Sequence, residues 1–109
     1  MEREERDPLK YLPEITQQIL AVSNPEEIIL FGSYARGDFG PDSDLDLLVI
    51  KDQVNSPNEE TAIIYRALAH LTVPVDVVVV SKAYAQRYRN LIGTVVRPAY
   101  REGKVIYAR

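Results

Sequence analysis

The segment EEIILFGSYARGDFGPDSDLDLLVI, residues 26–50, decides how this chain folds. Glu26–Phe31 predicts a strand, because Ile28, Ile29, Leu30 and Phe31 form a short continuous apolar run of the kind buried on both faces. Gly32-Ser33 interrupts that run, and Tyr34–Arg36 predicts a short helical turn. Gly37–Ser43 holds two glycines and a proline and reads as a turn-rich loop. Asp44–Ile50 predicts a second strand with carboxylates at its head and apolar residues behind them.

Working outward, Pro8–Val22 predicts a helix, with Asp7 as its cap and Pro8 at the first helical position. Pro13 argues for a break or a later start. Leu12, Ile15, Ile19 and Val22 recur at helical spacing, and Asn24-Pro25 ends the element. Beyond the second strand, Asn55–Asn58 is a polar loop, Glu59–Leu71 an amphipathic helix and Val73–Val80 a third strand. Ser81 can cap a helix from Lys82 to about Asn90. Leu91–Arg101 predicts a further helix in which Pro98 is a difficulty, Gly103 stops it, and Val105–Tyr107 predicts a short last strand. The order α-β-turn-β-α-β-α-α-β specifies a mixed α/β domain: one small mixed sheet flanked by helices.

The length of 109 residues predicts one compact domain over 1–109. A hydrophobic fraction of 46% and a charged fraction of 27% exclude wholesale disorder. An isoelectric point near 5.1 excludes a general nucleic-acid binder, so no direct DNA binding is expected. The chain has no cysteine, which removes disulfides, thiolate metal sites and cysteine nucleophiles, and the single histidine, His70, removes a histidine-cluster metal site. Met1–Lys10 is charge-dense and unlike a signal peptide, and Glu2–Asp7 reads as a frayed, solvated end. Val77–Val80 with its neighbours falls far short of the ~20 residues a membrane span needs. The expectation is a cytoplasmic protein without membrane contact. Charge is uneven: residues 1–81 carry 6 basic and 15 acidic side chains, residues 82–109 carry 7 and 1. A basic last quarter suits an anion or an acidic partner, or else a solvated helix face.

Asp44 and Asp46 stand two apart, so strand alternation puts both carboxylates on one face. Adjacent carboxylates repel unless a cation joins them, and hard oxygen donors favour Mg²⁺ or Mn²⁺. Asp76 lies within Val73-Pro74-Val75-Asp76-Val77-Val78-Val79-Val80, where a buried carboxylate is costly unless paired or bound to metal. Either Asp76 sits on an edge strand facing solvent or an arginine, which Pro74 permits, or the second and third strands are neighbours and it joins Asp44 and Asp46. Three carboxylates can hold two metal ions about 4 Å apart, the arrangement for in-line phosphoryl or nucleotidyl transfer. Gly32 lets a phosphate approach the backbone, the Ser33 hydroxyl can donate to it or cap the helical turn, and Arg36 can neutralise charge.

Taken together, Gly32-Ser33-Tyr34-Ala35-Arg36-Gly37, then Ser43-Asp44-Leu45-Asp46-Leu47, with Asp76 on a later strand, resembles the signature of the DNA polymerase β-type nucleotidyltransferase superfamily. The short chain resembles its minimal nucleotidyltransferase branch, most closely over Glu26–Val80, and Arg101–Tyr107 is similar to the usual end of such domains. The resemblance implies a Mg²⁺-dependent enzyme, with two ions expected, that binds a nucleoside triphosphate and moves its nucleoside monophosphate to a hydroxyl. It implies that Gly32 and Ser33, with Arg36 nearby, hold the triphosphate. Asp44 and Asp46 would ligate both metals, and Asp76 would ligate the metal at the acceptor hydroxyl and serve as general base.

The minimal branch supplies antitoxins whose partners are helical HEPN-domain RNase toxins. The resemblance therefore implies AMP transfer from ATP to a tyrosine of such a toxin, within a hetero-oligomer. Two alternatives stand beside it: neutralisation of a toxin by complex formation without catalysis, and nucleotidyl transfer to a small molecule or an RNA end. Tyr84, Arg87, Tyr88, Arg89, Arg97, Tyr100 and Arg101 crowd the C-terminal quarter and suit either a docking surface or half-buried helix faces. His70, beside Leu68 and Leu71, reads as a surface or hydrogen-bonded residue and not as a base.

Overall fold

The computed structural model describes residues 7–109; the expectation of a frayed start over Glu2–Glu5 and Arg6 lies outside them. Pro8–Tyr11 forms a 3₁₀ turn, and the Asp7 carboxylate accepts from the Leu9 N–H at 3.1 Å. The α-helix proper, α1, begins only at Leu12 and runs to Val22, with Pro13 in its first turn where the missing N–H costs nothing. Strand β1 (Glu27–Phe31) leads through Gly32 to a one-turn helix α2 (Ser33–Arg36). Strand β2 (Leu45–Lys51), helix α3 (Pro57–Leu68) and strand β3 (Val75–Ser81) follow. Helices α4 (Lys82–Tyr88) and α5 (Val96–Glu102) precede strand β4 (Lys104–Ala108).

The four strands lie in the order β3-β2-β1-β4. β1 pairs antiparallel with β2 and β4, and β2 pairs parallel with β3, so the sheet is mixed. The parallel pair needs a crossover, and α3 supplies it. Alternation along the strands sorts the core into two layers. Leu45, Leu47, Val49, Ile28, Leu30, Val77 and Val79 face Ile15 and Ile19 of α1 and Ile64 and Leu68 of α3. Ile29, Phe31, Leu48, Ile50 and Val80 face Ala85 of α4 and Val96 and Ala99 of α5. Ile15, Ile19 and Ile64 are fully buried, each worth roughly 1.5–3 kcal/mol relative to exposure. Val22 departs from the expected apolar face: it sits at the end of α1 and is largely exposed.

Two local devices set the element ends. Ser56 and Ser81 cap α3 and α4, accepting from the N–H groups of Glu59 and Tyr84 at 3.4 and 3.0 Å. Pro98 is no obstacle to α5, because that helix starts at Val96 and not at Leu91, leaving the proline in the first turn. Residues 91–95 form the connecting turn instead, held by the Thr94 hydroxyl, which donates to the Leu91 carbonyl at 2.8 Å. No helix among the described residues is long and apolar enough to cross a membrane.

Candidate active site

The carboxylates converge through strand register. Asp46 on β2 stands opposite Asp76 on β3 in the parallel ladder, and such partners share a face of the sheet. Asp44 lies two residues before Asp46, one residue ahead of the β2 strand, and its alternation points it the same way. All three therefore lie toward the face covered by α4 and α5, at the end where β2 and β3 begin.

Electrostatics records the convergence. Asp46 is half-buried, and its carboxyl is pushed above the ordinary aspartate range, first by burial and then by the charges of Asp76 and Asp44. Arg36 pulls in the opposite direction but too weakly to cancel the shift. That guanidinium is engaged elsewhere: it pairs with Asp38 at 3.2 Å and with Glu102 at 3.6 Å, and both contacts raise its own pKa further, the Asp38 hydrogen bond most. Arg36 thus ties the loop after α2 to the end of α5 and stands near the acidic cluster as an exposed, already paired cation.

Gly32 closes the site from the side of β1. Its φ of 76° and ψ of −156° fall in a region that only glycine adopts without strain. A Cβ built there would stand 2.1 Å from the Asp46 Oδ2, so the carboxylate occupies the space a side chain would need. Gly32, not Ser33, is the N-cap of α2, and its carbonyl accepts from the N–H groups of Ala35 and Arg36 at 3.1 and 3.0 Å. The Ser33 hydroxyl is therefore not spent on capping, and no hydrogen bond among the described residues engages it. Behind it, Tyr34 is buried and stacks on Phe39 with ring centroids 4.3 Å apart. Burial, Asp7 and Asp44, in that order, hold its phenol above the usual range.

Asp76 differs from its sequence reading in one respect. β3 is an edge strand and Asp76 is exposed, so no burial penalty compels it to bind a cation. Both readings of Asp76 are met in part, because an edge-strand residue can still be the register partner of Asp46. Its side-chain partner is Tyr65, a residue that lies outside the motifs of the sequence. The Tyr65 hydroxyl accepts from the Val77 N–H at 2.8 Å and donates to the Asp76 Oδ1 at 3.3 Å. Burial, followed by its carboxylate neighbours, raises this phenol's pKa although the Val77 N–H opposes it. No local pattern marks Tyr65, since nothing in residues 57–68 indicates which helical residue reaches a strand edge.

The donor set fits a hard divalent cation in kind. It is all carboxylate oxygen, burial and then mutual repulsion raise the pKa of one member, and Arg36, the cation that opposes this shift among the described residues, is paired with Asp38 and Glu102. As the side chains stand, no group of three acidic or histidine side chains among the described residues is close enough together to grip one ion. His70 plays no part here: its Nε2 lies 3.2 Å from Glu14 Oε2, joining the turn after α3 to α1.

Comparisons with known proteins bear on the fold and on the family. A family model described as Nucleotidyltransferase domain matches residues 9–97. Two candidate protein adenylyltransferases of Methanocaldococcus jannaschii match in shorter stretches. MJ0604 is 59% identical over 27 residues, 25% of this chain and 27% of that protein. MJ0141 is 44% identical over 39 residues, 36% of this chain and 39% of that protein. The matched stretches thus span well under half of these relatives.

In three dimensions the chain is similar to a candidate nucleotidyltransferase from Sulfolobus solfataricus, with a TM-score of 0.66 at 23% identity, covering 93% of this chain and 80% of that one. It is also similar to a toxin–antitoxin structure determined with AMP-PNP, with a TM-score of 0.61 at 20% identity, covering 89% and 73%. A variant of the toxin–antitoxin MntA–HpeT gives a TM-score of 0.61 at 18% identity, with the same coverage.

Proposed function

The chain belongs to the nucleotidyltransferase domain family, and on that premise we propose that it transfers AMP from ATP to a hydroxyl, a tyrosine of a HEPN-type RNase toxin, and acts as the antitoxin of that pair. One observation carries the catalytic part: Asp46 and Asp76 are register partners on parallel strands, with Asp44 two residues away and the bare Cα of Gly32 against Asp46. Two matched relatives are named as protein adenylyltransferase candidates, which supports a protein acceptor. The toxin–antitoxin neighbours, one of them with AMP-PNP, support a toxin partner and a nucleoside triphosphate substrate. The HEPN identity of the partner rests on the resemblance of the Gly-Ser and Asp-x-Asp motifs.

The residues divide the work by position. Gly32 leaves room for a triphosphate oxygen beside the backbone, and the uncommitted Ser33 hydroxyl donates to it. Asp44 and Asp46 would hold two Mg²⁺ ions, with Asp76 completing the site on the acceptor side. Bound there, the ions would neutralise charge on the phosphates and sharpen the acceptor oxygen as a nucleophile. The acceptor hydroxyl oxygen attacks the α-phosphorus as the bond from that phosphorus to the bridging oxygen breaks, and pyrophosphate leaves. Asp76, exposed on the sheet edge, takes the hydroxyl proton. Its exposure lets a macromolecular acceptor reach it.

The test is incubation with α-labelled ATP, Mg²⁺ and the protein encoded beside this chain. Wild-type protein is expected to label the partner, and Asp44→Asn/Asp46→Asn is expected not to. Labelling that survives the double substitution would sink the assignment.

A further inference from the structure

Tyr65 stands apart from the motif residues in both sequence and layer. It belongs to α3, which packs on the opposite sheet face from the aspartates, yet its hydroxyl reaches the β3 edge. There it makes two hydrogen bonds at once, accepting from the outward-pointing Val77 N–H at 2.8 Å and donating to the Asp76 Oδ1 at 3.3 Å. The first bond fixes the hydroxyl, because the backbone of β3 is held in the sheet and Ile64 and Leu68 anchor α3 in the core. The second bond is long for an O–H···O⁻ contact, so it orients the carboxylate more than it stabilises it. Asp76 has need of such a guide. An exposed carboxylate on an edge strand otherwise samples its rotamers in solvent, and each rotamer lost on ligand binding weakens that binding.

We propose that Tyr65 is a positioning residue for the acceptor-side metal, holding the Asp76 carboxylate by Oδ1 so that Oδ2 remains for the ion shared with Asp46. The inference rests on the metal-site reading given under the proposed function. Tyr65 is distinct from the acceptor tyrosine of a partner: it enters from the far face of the sheet, and Val77 and Asp76 already engage its hydroxyl. Groups that orient metal ligands typically change metal affinity 10- to 100-fold when removed. The long contact here places Tyr65 at the low end of that range, about tenfold.

The experiment is a double-mutant cycle read by Mn²⁺ binding, by electron paramagnetic resonance, with a non-hydrolysable α,β-methylene ATP present. Tyr65→Phe is expected to weaken Mn²⁺ binding about tenfold. Asp76→Asn is expected to weaken it more, and Tyr65→Phe added to Asp76→Asn is expected to do nothing further. A loss through general destabilisation would recur in the Asp76→Asn background, and that recurrence overturns the inference. Wild-type binding with Tyr65→Phe unchanged within about twofold also overturns it while leaving the metal-site reading intact, because a positioning partner acts above that level. Failure of the wild type to bind Mn²⁺ with the analogue removes that reading, and the inference with it. An AMP adduct on Tyr65 after incubation with ATP would make it an acceptor and overturn the positioning role. Should Tyr65→Phe fail to fold, fluorotyrosine-labelled wild type gives a second measurement. The Tyr65 fluorine resonance is expected to shift on adding Mg²⁺ and to stay fixed in Asp76→Asn; a resonance that ignores Mg²⁺ in the wild type contradicts the proposal.

Discussion

Replacing Gly32 by alanine asks one methyl group to enter space that the Asp46 carboxylate holds. Two costs follow. The backbone at φ 76°, ψ −156° lies where a residue with a Cβ is strained by about 1–3 kcal/mol. The new Cβ would also stand 2.1 Å from Asp46 Oδ2 and 3.0 Å from its Cγ, so the carboxylate must swing away. It can, because Asp46 is only half-buried, so the clash resolves as displacement of the acid and not as unfolding. The expected outcome is a loss of about 2 kcal/mol of stability, a fall of roughly 10 °C in Tm, with nucleotidyl transfer lost well beyond what that destabilisation explains. Gly37→Ala is the matched control. Gly37 has φ 92°, so alanine is strained there too, but nothing lies within 4 Å of its would-be Cβ. Thermal melts and label transfer are measured on both variants at a temperature where both are folded. Gly37→Ala should lose stability and keep activity, whereas Gly32→Ala should lose both. A Gly32→Ala protein that transfers label at the wild-type rate would refute the argument that this glycine is there to make room for Asp46.

Other expectations follow from the same geometry. Asp46→Asn should abolish transfer yet raise Tm in the presence of EDTA. Because burial and its acidic neighbours raise the folded pKa of Asp46, its stabilising influence is present at low pH and lost as pH rises through that pKa, so at pH 7 the ionised group is a burden. The gain is read as a higher Tm than wild type in EDTA, and an unchanged or lower Tm contradicts it. Glu60 has the opposite sign: its hydrogen bond to Lys51 is the main cause of a lowered pKa, so its contribution is present above the ordinary carboxylate range and lost as pH falls through the lowered value. Glu60→Gln should therefore flatten the decline in urea midpoint between about pH 5 and pH 3, and an unaltered decline would show that the ion pair is not its source. Gly103→Ala should cost at least about 2 kcal/mol, because its Cβ would meet the Ala99 carbonyl oxygen at 2.2 Å and the Leu30 carbonyl oxygen at 2.9 Å, atoms that cannot move without breaking α5 or β1. A chemical-denaturation midpoint equal to the wild type would contradict that packing.

The fold was legible because its decisive runs are short and their chemistry is one-sided. Ile28–Phe31 and Leu47–Ile50 have no amphipathic alternative, and Pro25 and Gly32 flank the first run as Pro41 and Pro57 flank the second. What the sequence concealed were boundaries set by capping. Ser56 starts α3 at Pro57, ahead of the first strongly helical residue, and the helix stops at Leu68 although Leu71 continues the apolar spacing. The Leu91–Arg101 region shows the same effect in reverse. Its apolar periodicity continues through residues 91–95, but the Thr94 hydroxyl bonds the Tyr88 and Leu91 carbonyls and turns the chain there. In the site, period-two spacing was enough to align Asp44 with Asp46. Which residue would face them from β3 depended on the register Asp46↔Asp76, a tertiary quantity. The Arg36 pairing with Glu102 and the Tyr65 contact with Asp76 join residues far apart in sequence, where no spacing rule operates.

Asp76 makes the lesson general. The sequence argument for it rested on the expense of an ionised group in a buried, β-branched strand, and β3 is an edge strand on which Asp76 is exposed. Exposure weakens the inference that a cation is required for stability, but it strengthens the inference about access. Under the proposed function Asp76 would meet a hydroxyl on another macromolecule, and an edge strand is open to such an approach. The strand order β3-β2-β1-β4 places Asp46 inside the sheet, where burial disfavours its charge, and Asp76 on the rim, where the proposed acceptor would have access. An open edge also presents unpaired N–H groups, and at Val77 the Tyr65 hydroxyl covers one while touching Asp76. The same contact thus closes a liability of the fold and orients a residue of its candidate active site, so substitutions at Tyr65 should be read on stability and on metal affinity together.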